Sequence, residues 1–369
     1  MLSYTSAVTI ALDATPLTSS TGGVGRYTLE LARALASEYP EDQYWLLSDQ
    51  PLDARPFRAR HTPPNLHLGD GPRNPAERKW WLWGLDREMR RRGVELFHGT
   101  DYSVPYVPLR PTVMTLHDLS PWLDPAWQPG ASRVRRRTPR MLRMGLATMV
   151  ITPTETIRHA AIERFRLPPD RVVAVPLAAG DFFRPPLVAA KPRGNPYFLF
   201  VGTREPRKNI ARLVEAWRKV YTTVAVDLVL AGRARADFPA LPDEPGLRVL
   251  GEIPDSELPG LYSGALACVY PSLYEGFGLP VLEAIQCGAL VITSRDPAIL
   301  EVSGEAAVHV DAEDPAELAE TMRAVASSPE NFAAIRAKTL AHAAQFSWQK
   351  TARRTREVYD AASDVFNKA

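Results

Sequence analysis

The sequence predicts an α/β protein built from two doubly wound parallel sheets, and three observations carry that expectation. Short apolar runs of strand length alternate with amphipathic stretches of helix length, the pattern that crossover-linked parallel strands produce. The alternation breaks once, in a segment without hydrophobic period between Asp181 and Asn195, and then restarts. The chain has 369 residues, 45% of them hydrophobic, enough for two ordinary cores.

In the first half, Val8 to Asp13 reads as a buried strand. It leads through Gly22-Gly-Val-Gly25-Arg-Tyr27 into a helix with Leu29, Leu31, Ala32 and Leu35 on its apolar face. A glycine turn between strand and helix can hold a phosphate; its other use is a tight turn with close helix packing. The spacing is not Gly-x-Gly-x-x-Gly, and no acidic residue stands where a dinucleotide ribose needs one, which argues against a dinucleotide oxidoreductase. A strand over Tyr44–Ser48 follows, then an irregular stretch from 49 to 75 rich in Pro and Arg. Trp80, Trp81 and Trp83 open a helix that ends near Arg92-Gly93, where glycine suits the C-terminus; three tryptophans suit stacking on sugar rings, but at helical spacing they read as core or interface residues, with core favoured. Strands over Val94–His98 and Pro111–Asp118 both end in histidine, at the carboxyl edge where open parallel sheets bind ligands. His117-Asp118, polar directly after an apolar run, is the stronger candidate of the two. Arg133, Arg135, Arg136, Arg137, Arg140 and Arg143 crowd the next helix, either as a solvated face or as a surface for anionic lipid or an anionic acceptor. A strand at Thr148–Thr152, a helix over 155–165 and a strand at Val172–Pro176 close this half.

The second half opens with a strand at Tyr197–Val201, a loop from Gly202 to Lys208, and a helix carrying Ile210, Leu213, Val214 and Trp217. Val226–Ala231, Leu247–Gly251, Ala267–Tyr270 and Ala289–Thr293 are further strands. Helices near 314–327 and 330–343 and a last one from about Ser347 complete the chain.

Composition narrows the function classes. A net charge of +2 gives no field for nucleic acid. Cys268 and Cys287 make no disulfide framework and read as reduced core residues of a cytosolic protein. Neither a signal-type start nor an apolar run of about 18 residues is visible, so a soluble chain without a membrane span is expected.

The chemistry gathers in Pro271-Ser-Leu-Tyr-Glu275-Gly-Phe-Gly-Leu-Pro-Val-Leu-Glu283-Ala. This is a strand end, a glycine loop and a helix opening at Leu279-Pro280, where proline costs no hydrogen bond. Backbone N–H groups at that helix start attract anions, and Glu275 and Glu283 bracket it as acceptors for hydroxyls. Arg204, Arg207 and Lys208 lie in another loop before a helix and suit a phosphate or diphosphate. A ligand that combines a diphosphate with ribose and sugar hydroxyls satisfies both loops, and a nucleotide sugar is such a ligand.

These residues resemble the family-4 retaining glycosyltransferases of GT-B fold. Glu275-Gly-Phe-Gly-Leu-Pro-Val-Leu-Glu283 is similar to their E-x7-E motif, Glu205-Pro-Arg207-Lys208-Asn209 to their phosphate loop, Gly22-Gly-Val-Gly25-Arg-Tyr27 to their N-terminal loop, and His117-Asp-Leu to their acceptor-side histidine motif. Phe346-Ser-Trp348 resembles the start of their closing helix. The resemblance spans nearly the whole chain. It implies two Rossmann-like domains facing across a cleft: 1–185 on the acceptor side, 186–345 for the nucleotide sugar, and a helix over 346–369 crossing back to the first domain.

By position, the resemblance implies that Glu283 binds the ribose hydroxyls. Glu275, with the N–H groups of Gly276, Phe277, Gly278 and Leu279, holds the transferred sugar. Arg207 and Lys208 neutralise the diphosphate, and backbone near Gly251 and Ile253 meets the base. His117 lies near the donor sugar's C6 hydroxyl and the reacting bond, and Gly23 touches the diphosphate or the acceptor. Many relatives carry an arginine where Thr203 stands here, and Arg204 or Arg207 supplies that charge instead. The implied reaction retains the anomeric configuration, and the leaving phosphate takes the acceptor's proton. With no Asp-x-Asp triplet in the chain, neither a metal nor any other cofactor is expected. The expected partners are a donor, GDP-mannose first and a UDP-hexose second, and a glycan or lipid-linked acceptor of surface-polysaccharide assembly. The expected location is cytoplasmic and peripheral to the inner face of the membrane, through the Arg133–Arg143 helix. The rival readings are a non-hydrolysing sugar-nucleotide 2-epimerase, whose additional acid/base carboxylates are not identifiable, and an inactive relative that binds a glycan or nucleotide.

Overall fold

The structure, a computed structural model, describes residues 7–18, 22–53, 62–186 and 194–368. Residues 19–21 of the glycine turn, 54–61 of the irregular stretch and 187–193 of the linker lie outside these. The chain divides into two compact units, Met1–Leu123 with Pro129–Leu177 and Trp348–Ala369, and Asp124–Gln128 with Ala178–Ser347.

The first unit holds a seven-stranded sheet of β1 (Thr9–Asp13), β2 (Gln43–Leu47), β3 (Leu66–Leu68), β4 (Leu96–Gly99), β5 (Thr112–Thr115), β6 (Met149–Thr152) and β7 (Val172–Ala174). Their order is β3-β2-β1-β4-β5-β6-β7, and every pairing is parallel. Because parallel strands are covered by crossover helices on both faces, β4, β5 and β6 are buried throughout. The covering helices are α1 (Gly23–Glu38), α2 (Leu85–Arg91), α3 (Ser120–Leu123), α4 (Ser132–Arg143) and α5 (Glu155–Phe165). Strand β3 falls inside the stretch read as irregular. It is only three residues long, Leu-His-Leu, and stands in no apolar run of the kind that marks the equally short β7. The tryptophan cluster forms a single π-helical turn, Trp80–Gly84, before α2. Trp80 is core, but Trp83 is 57% exposed, which corrects the core reading for that residue.

The second unit carries β8 (Tyr197–Val201), β9 (Asp227–Ala231), β10 (Leu247–Gly251), β11 (Ala267–Tyr270), β12 (Val291–Ser294) and β13 (Val308–Val310). Their order is β10-β9-β8-β11-β12-β13, again all parallel. Helices α6 (Ile210–Tyr221), α7 (Leu258–Gly264), α8 (Leu279–Gln286), α9 (Pro297–Ser303), α10 (Pro315–Ser327) and α11 (Ala333–Ala343) connect and cover them. Cys268 and Cys287 are free and buried here.

The boundary between the units falls at Leu177/Ala178, not at 185/186. The intervening residues pack on the second unit: the fully buried Phe183 lies edge-on to Tyr262, and Gln286 donates to the Gly180 carbonyl at 3.0 Å. The short segment 124–128 also groups there. Trp127 stacks on Tyr274, and Arg235 donates to the carbonyls of Ala126 and Trp127.

The last helix, α12 (Trp348–Asn367), belongs to the first unit. Its anchor is Arg356, whose Nε lies 2.9 Å from Asp42 Oδ2, with both side chains 6% exposed. Asp42 also accepts from the Val8 N–H and the Tyr44 hydroxyl, so the helix is tied to the starts of β1 and β2. No helix among the described residues is long and apolar enough to cross a membrane.

Candidate functional site

In an open parallel sheet the loops on either side of the point where strand order reverses splay apart and leave a crevice at the carboxyl edge. In the second unit that point lies between β8 and β11, which are hydrogen-bonded neighbours. The loop after β8 holds Thr203, Arg204, Arg207 and Lys208, and the loop after β11 holds Glu275 to Gly278. Sheet order alone therefore brings together the two motifs that the sequence separates by about seventy positions.

Local backbone chemistry sets each loop. Pro206–Lys208 form a 3-10 turn that Asn209 ends in a left-handed conformation, φ +59°, a region that asparagine tolerates better than most residues. Its side chain donates to the Ala312 carbonyl at 2.7 Å, pinning the start of α6. Across the crevice Gly278 has φ +84°, and a Cβ there would sit 2.4 Å from Ile299 Cδ1. The turn therefore favours glycine, and any larger residue would also have to displace the Ile299 terminal methyl. No side chain caps α8, and Pro280 occupies its first turn.

The side chains meet as an ion cluster. Glu275 is 7% exposed. Its Oε2 lies 2.8 Å from Arg207 Nη1, and its Oε1 accepts from the Lys208 ammonium. Arg207 also donates to the Tyr274 carbonyl at 3.0 Å, and its Nε lies 2.8 Å from Glu205 Oε1. Burial pushes the Glu275 carboxyl up, but Lys208 and Arg207 outweigh it and hold the group at about 2. Burial and Arg207 likewise push Lys208 down, and Glu275 only partly offsets this. Arg204 is different: burial depresses it, and among the described residues no carboxylate pairs with it and its buried Nη1 has no hydrogen-bond partner. An anion entering the loop would satisfy it.

Glu283 is 2% exposed on α8 and accepts from the Tyr262 hydroxyl at 2.9 Å. Gly251 ends β10 with φ +70°, and its carbonyl accepts from Gly232 N–H at 2.6 Å. Ile253 is half-buried just beyond. Three contributors were missed in the sequence. Tyr262 lies twenty-one positions from Glu283, with no local signal linking them. Glu205 was quoted within its motif but given no role. Asp296 caps α9 through the N–H groups of Ala298 and Ile299, and burial pushes its carboxyl up to about 6, with Glu275 adding to the rise. Its Asp-Pro-Ala pattern is a readable helix start.

Gly23 and His117 belong to the other unit. Gly23 begins α1. His117 lies two positions past the end of β5, and its Nε2 donates to the Thr100 carbonyl at 2.7 Å. Burial lowers its pKa, with the Thr100 carbonyl and Asp118 opposing. The bonded nitrogen carries the proton because a carbonyl only accepts, which leaves Nδ1 as the acceptor. Asp118 is occupied locally, its Oδ1 accepting from the Ser120 N–H and hydroxyl. His98 is fully buried and bonded to Thr115 and Tyr359. It is not the exposed edge histidine that its strand-end position suggests.

The family model described as glycosyl transferases group 1 matches residues 187–342, and that described as glycosyltransferase family 4 matches 21–178. The chain is 29% identical to the O-antigen chain mannosyltransferase B of Escherichia coli, over 91% of this chain and 95% of that one. In structure it resembles a sucrose-phosphate synthase from Thermosynechococcus elongatus, with TM-score 0.75 and 19% identity over 98% of this chain and all of that one. It also resembles Anabaena HepE in complex with UDP and glucose, with TM-score 0.72 and 16% identity over 96% and 99% of the two chains.

The Glu275 cluster sets an acid limit. Its folded pKa, about 2, lies below the ordinary 4.5, so on acidification the unfolded chain takes up the proton first. The stability it contributes is present above 4.5 and is lost as pH falls toward 2. Asp296, raised from 3.8 to about 6, acts in the opposite sense between those values. Thermal melts from pH 5 down should show a decline that Glu275→Gln flattens; a mutant as steep as wild type would place the decline on another carboxylate.

Proposed function

Because the chain belongs to the group 1 and family 4 glycosyltransferases, we propose that it is a retaining, metal-independent hexosyltransferase of surface-polysaccharide synthesis. It moves mannose from GDP-mannose, or alternatively a hexose from a UDP-sugar, to a glycan or lipid-linked saccharide. The observation that carries this reading is the meeting of Arg207, Lys208 and Glu275 beside the start of α8. Mannose is supported by likeness to the O-antigen chain mannosyltransferase over most of both chains, and the UDP alternative by likeness to the UDP-bound HepE.

The roles follow from the chemistry of each group. Arg204, Arg207 and Lys208 face the diphosphate, with Arg204 supplying the charge that Thr203 lacks. Glu283, oriented by Tyr262, accepts from the ribose hydroxyls. Backbone at Gly251 and Ile253 meets the base. Glu275 and the N–H groups of Gly276, Phe277, Gly278 and Leu279 receive the transferred sugar. His117 accepts from a sugar hydroxyl through Nδ1, and Gly23 lies at the diphosphate or acceptor.

As the glycosidic bond breaks, negative charge grows on the leaving diphosphate. Cations already in place stabilise it without reorganising at that moment. Glu275 holds Arg207 and Lys208 together before the donor arrives. The acceptor oxygen bonds to the anomeric carbon on the face that the diphosphate leaves, and its proton passes to the departing phosphate oxygen. That scheme gives a metal no task.

The membrane contact rests on α4. Arg133, Arg136, Arg140 and Arg143 are exposed along it, the helix has no acidic residue, and Met144 beyond its end is 69% exposed. An anionic surface at the inner face of the membrane is the partner this fits.

Lys208→Ala should lower kcat by about 10²–10³-fold, the usual cost of one such donor; a kcat within a few-fold of wild type would remove the lysine from the transition state. Among GDP, UDP, ADP and dTDP, GDP should raise the melting temperature most, with and without EDTA, because a ligand that binds the folded state stabilises it by mass action. No shift with any of the four would overturn the donor reading, and a shift abolished by EDTA would overturn metal independence. The protein should cosediment with phosphatidylglycerol vesicles but not phosphatidylcholine vesicles, less so in high salt, and Arg136→Glu with Arg140→Glu should abolish this; equal binding to both lipids would sink the electrostatic contact.

A further inference from the structure

His98 is a strand-end histidine to which the proposed reaction gives no task, yet it sits at the centre of a buried hydrogen-bond chain. Its Nδ1 is 2.7 Å from the Tyr359 hydroxyl on α12, and its Nε2 is 2.8 Å from Thr115 Oγ1 at the end of β5. The same Thr115 oxygen is 2.9 Å from the Tyr27 hydroxyl on α1. None of the four side chains is more than 1% exposed. The Tyr27 ring, in turn, stands edge-on to the His117 imidazole, with centroids 4.9 Å apart and planes at 85°. His117 is therefore held from two sides, by Tyr27 and by the Thr100 carbonyl.

We propose that His98, Thr115, Tyr27 and Tyr359 are positioning residues, a chain through which the C-terminal helix fixes the His117 imidazole for the transfer step. The proposal rests on the reading of His117 as a group beside the reacting bond. Three features make this more than core packing. The chain links elements that are remote in sequence, with His98 and Tyr359 separated by 261 positions. It uses directional hydrogen bonds where apolar side chains of similar volume would fill the space, and such bonds restrict orientation as well as position. It also ends on the ring wall of a proposed site residue. Tyr27 follows shortly after the glycine turn that contains Gly23, so one hydroxyl orders the beginning of α1 and the wall of His117 together. Burial and the neighbouring His117 push His98 down to about 3, so it stays neutral across the working range, one ring nitrogen donating and the other accepting.

The test is a double-mutant cycle on GDP release from GDP-mannose, with water or a lipid-linked saccharide as acceptor. Tyr359→Phe and Thr115→Val each delete one oxygen and keep the shape of the side chain. Each should lower kcat by about 10-fold, short of the roughly 10²-fold that a 1 Å misplacement costs. The donor KM and the GDP-induced melting shift should not change. Thr115→Ser, which keeps the hydroxyl, should recover most of the loss. In a His117→Ala background, Tyr359→Phe should have no further effect, because the group it positions is gone. The same fold-loss in both backgrounds would make the chain merely structural and overturn the proposal. So would wild-type kcat in both Tyr359→Phe and Thr115→Val alongside an impaired His117→Ala. A fully active His117→Ala would instead remove the reading on which the proposal rests, and the proposal with it.

Discussion

The candidate site depends on one constraint: at the strand reversal between β8 and β11, two loops must be held together although each brings like charge or backbone dipole toward the other. Arg207 and Lys208 come from one side and the start of α8, positive by its dipole, from the other. Left alone these would repel, and burial and Arg207 would depress the Lys208 pKa without the offset that Glu275 supplies. Glu275 resolves the conflict by engaging both cations at once. Its carboxylate is an internal counterion that holds the cations in register and, on the proposed reading, does so until a ligand with its own negative charge arrives.

That constraint explains which parts of the site could be read from the chain. The loop cations, the glycines and the two glutamates are conspicuous in sequence because each departs from what a strand or helix interior tolerates. Gly278 needs its positive φ, and Arg207 and Lys208 need solvent or a counter-charge. The pairing of Glu275 with Arg207 and Lys208 is another matter, since the sequence offered Glu275 only a hydroxyl to accept from. Such pairing is a property of sheet order, which alternation of strands and helices restricts but does not fix. Tyr262 on Glu283 and Asp296 beside Glu275 were missed for the same reason. The strands tell a parallel story. Long apolar runs such as Tyr197–Val201 and Ala267–Tyr270 coincide with β8 and β11, whereas β3 (Leu-His-Leu) and β13 (Val-His-Val) each carry a histidine within three residues and lack the continuous apolar run that made the equally short β7 legible.

His98 and His117 show how far strand-end position can be trusted. Both follow apolar runs, and both point to the carboxyl edge of the first sheet. His98 is still within β4, so its ring is covered by whatever packs on the sheet, and what packs there is a helix from the far end of the chain. His117 lies two positions past β5, beyond the last ladder hydrogen bond, and so remains partly exposed. Two residues of chain decide between a core group and a surface group. Asp118, one position further on, is consumed by capping α3.

The same electrostatics bear on why a site rich in carboxylates offers no evident nucleophile. A carboxylate attacks an anomeric carbon when its lone pairs are free and its basicity is ordinary. Glu275 has neither property, because two cations occupy its oxygens and hold its pKa at about 2. Glu283 is engaged by Tyr262, one helical turn further along α8. What the site does supply is positive charge that is already buried and already oriented, and among the described residues Arg204 has no carboxylate to balance it. Such an arrangement stabilises a departing anion better than it promotes an attack. On the proposed reading, the reaction is therefore governed by loss of the diphosphate, and the acceptor enters as the bond to it gives way.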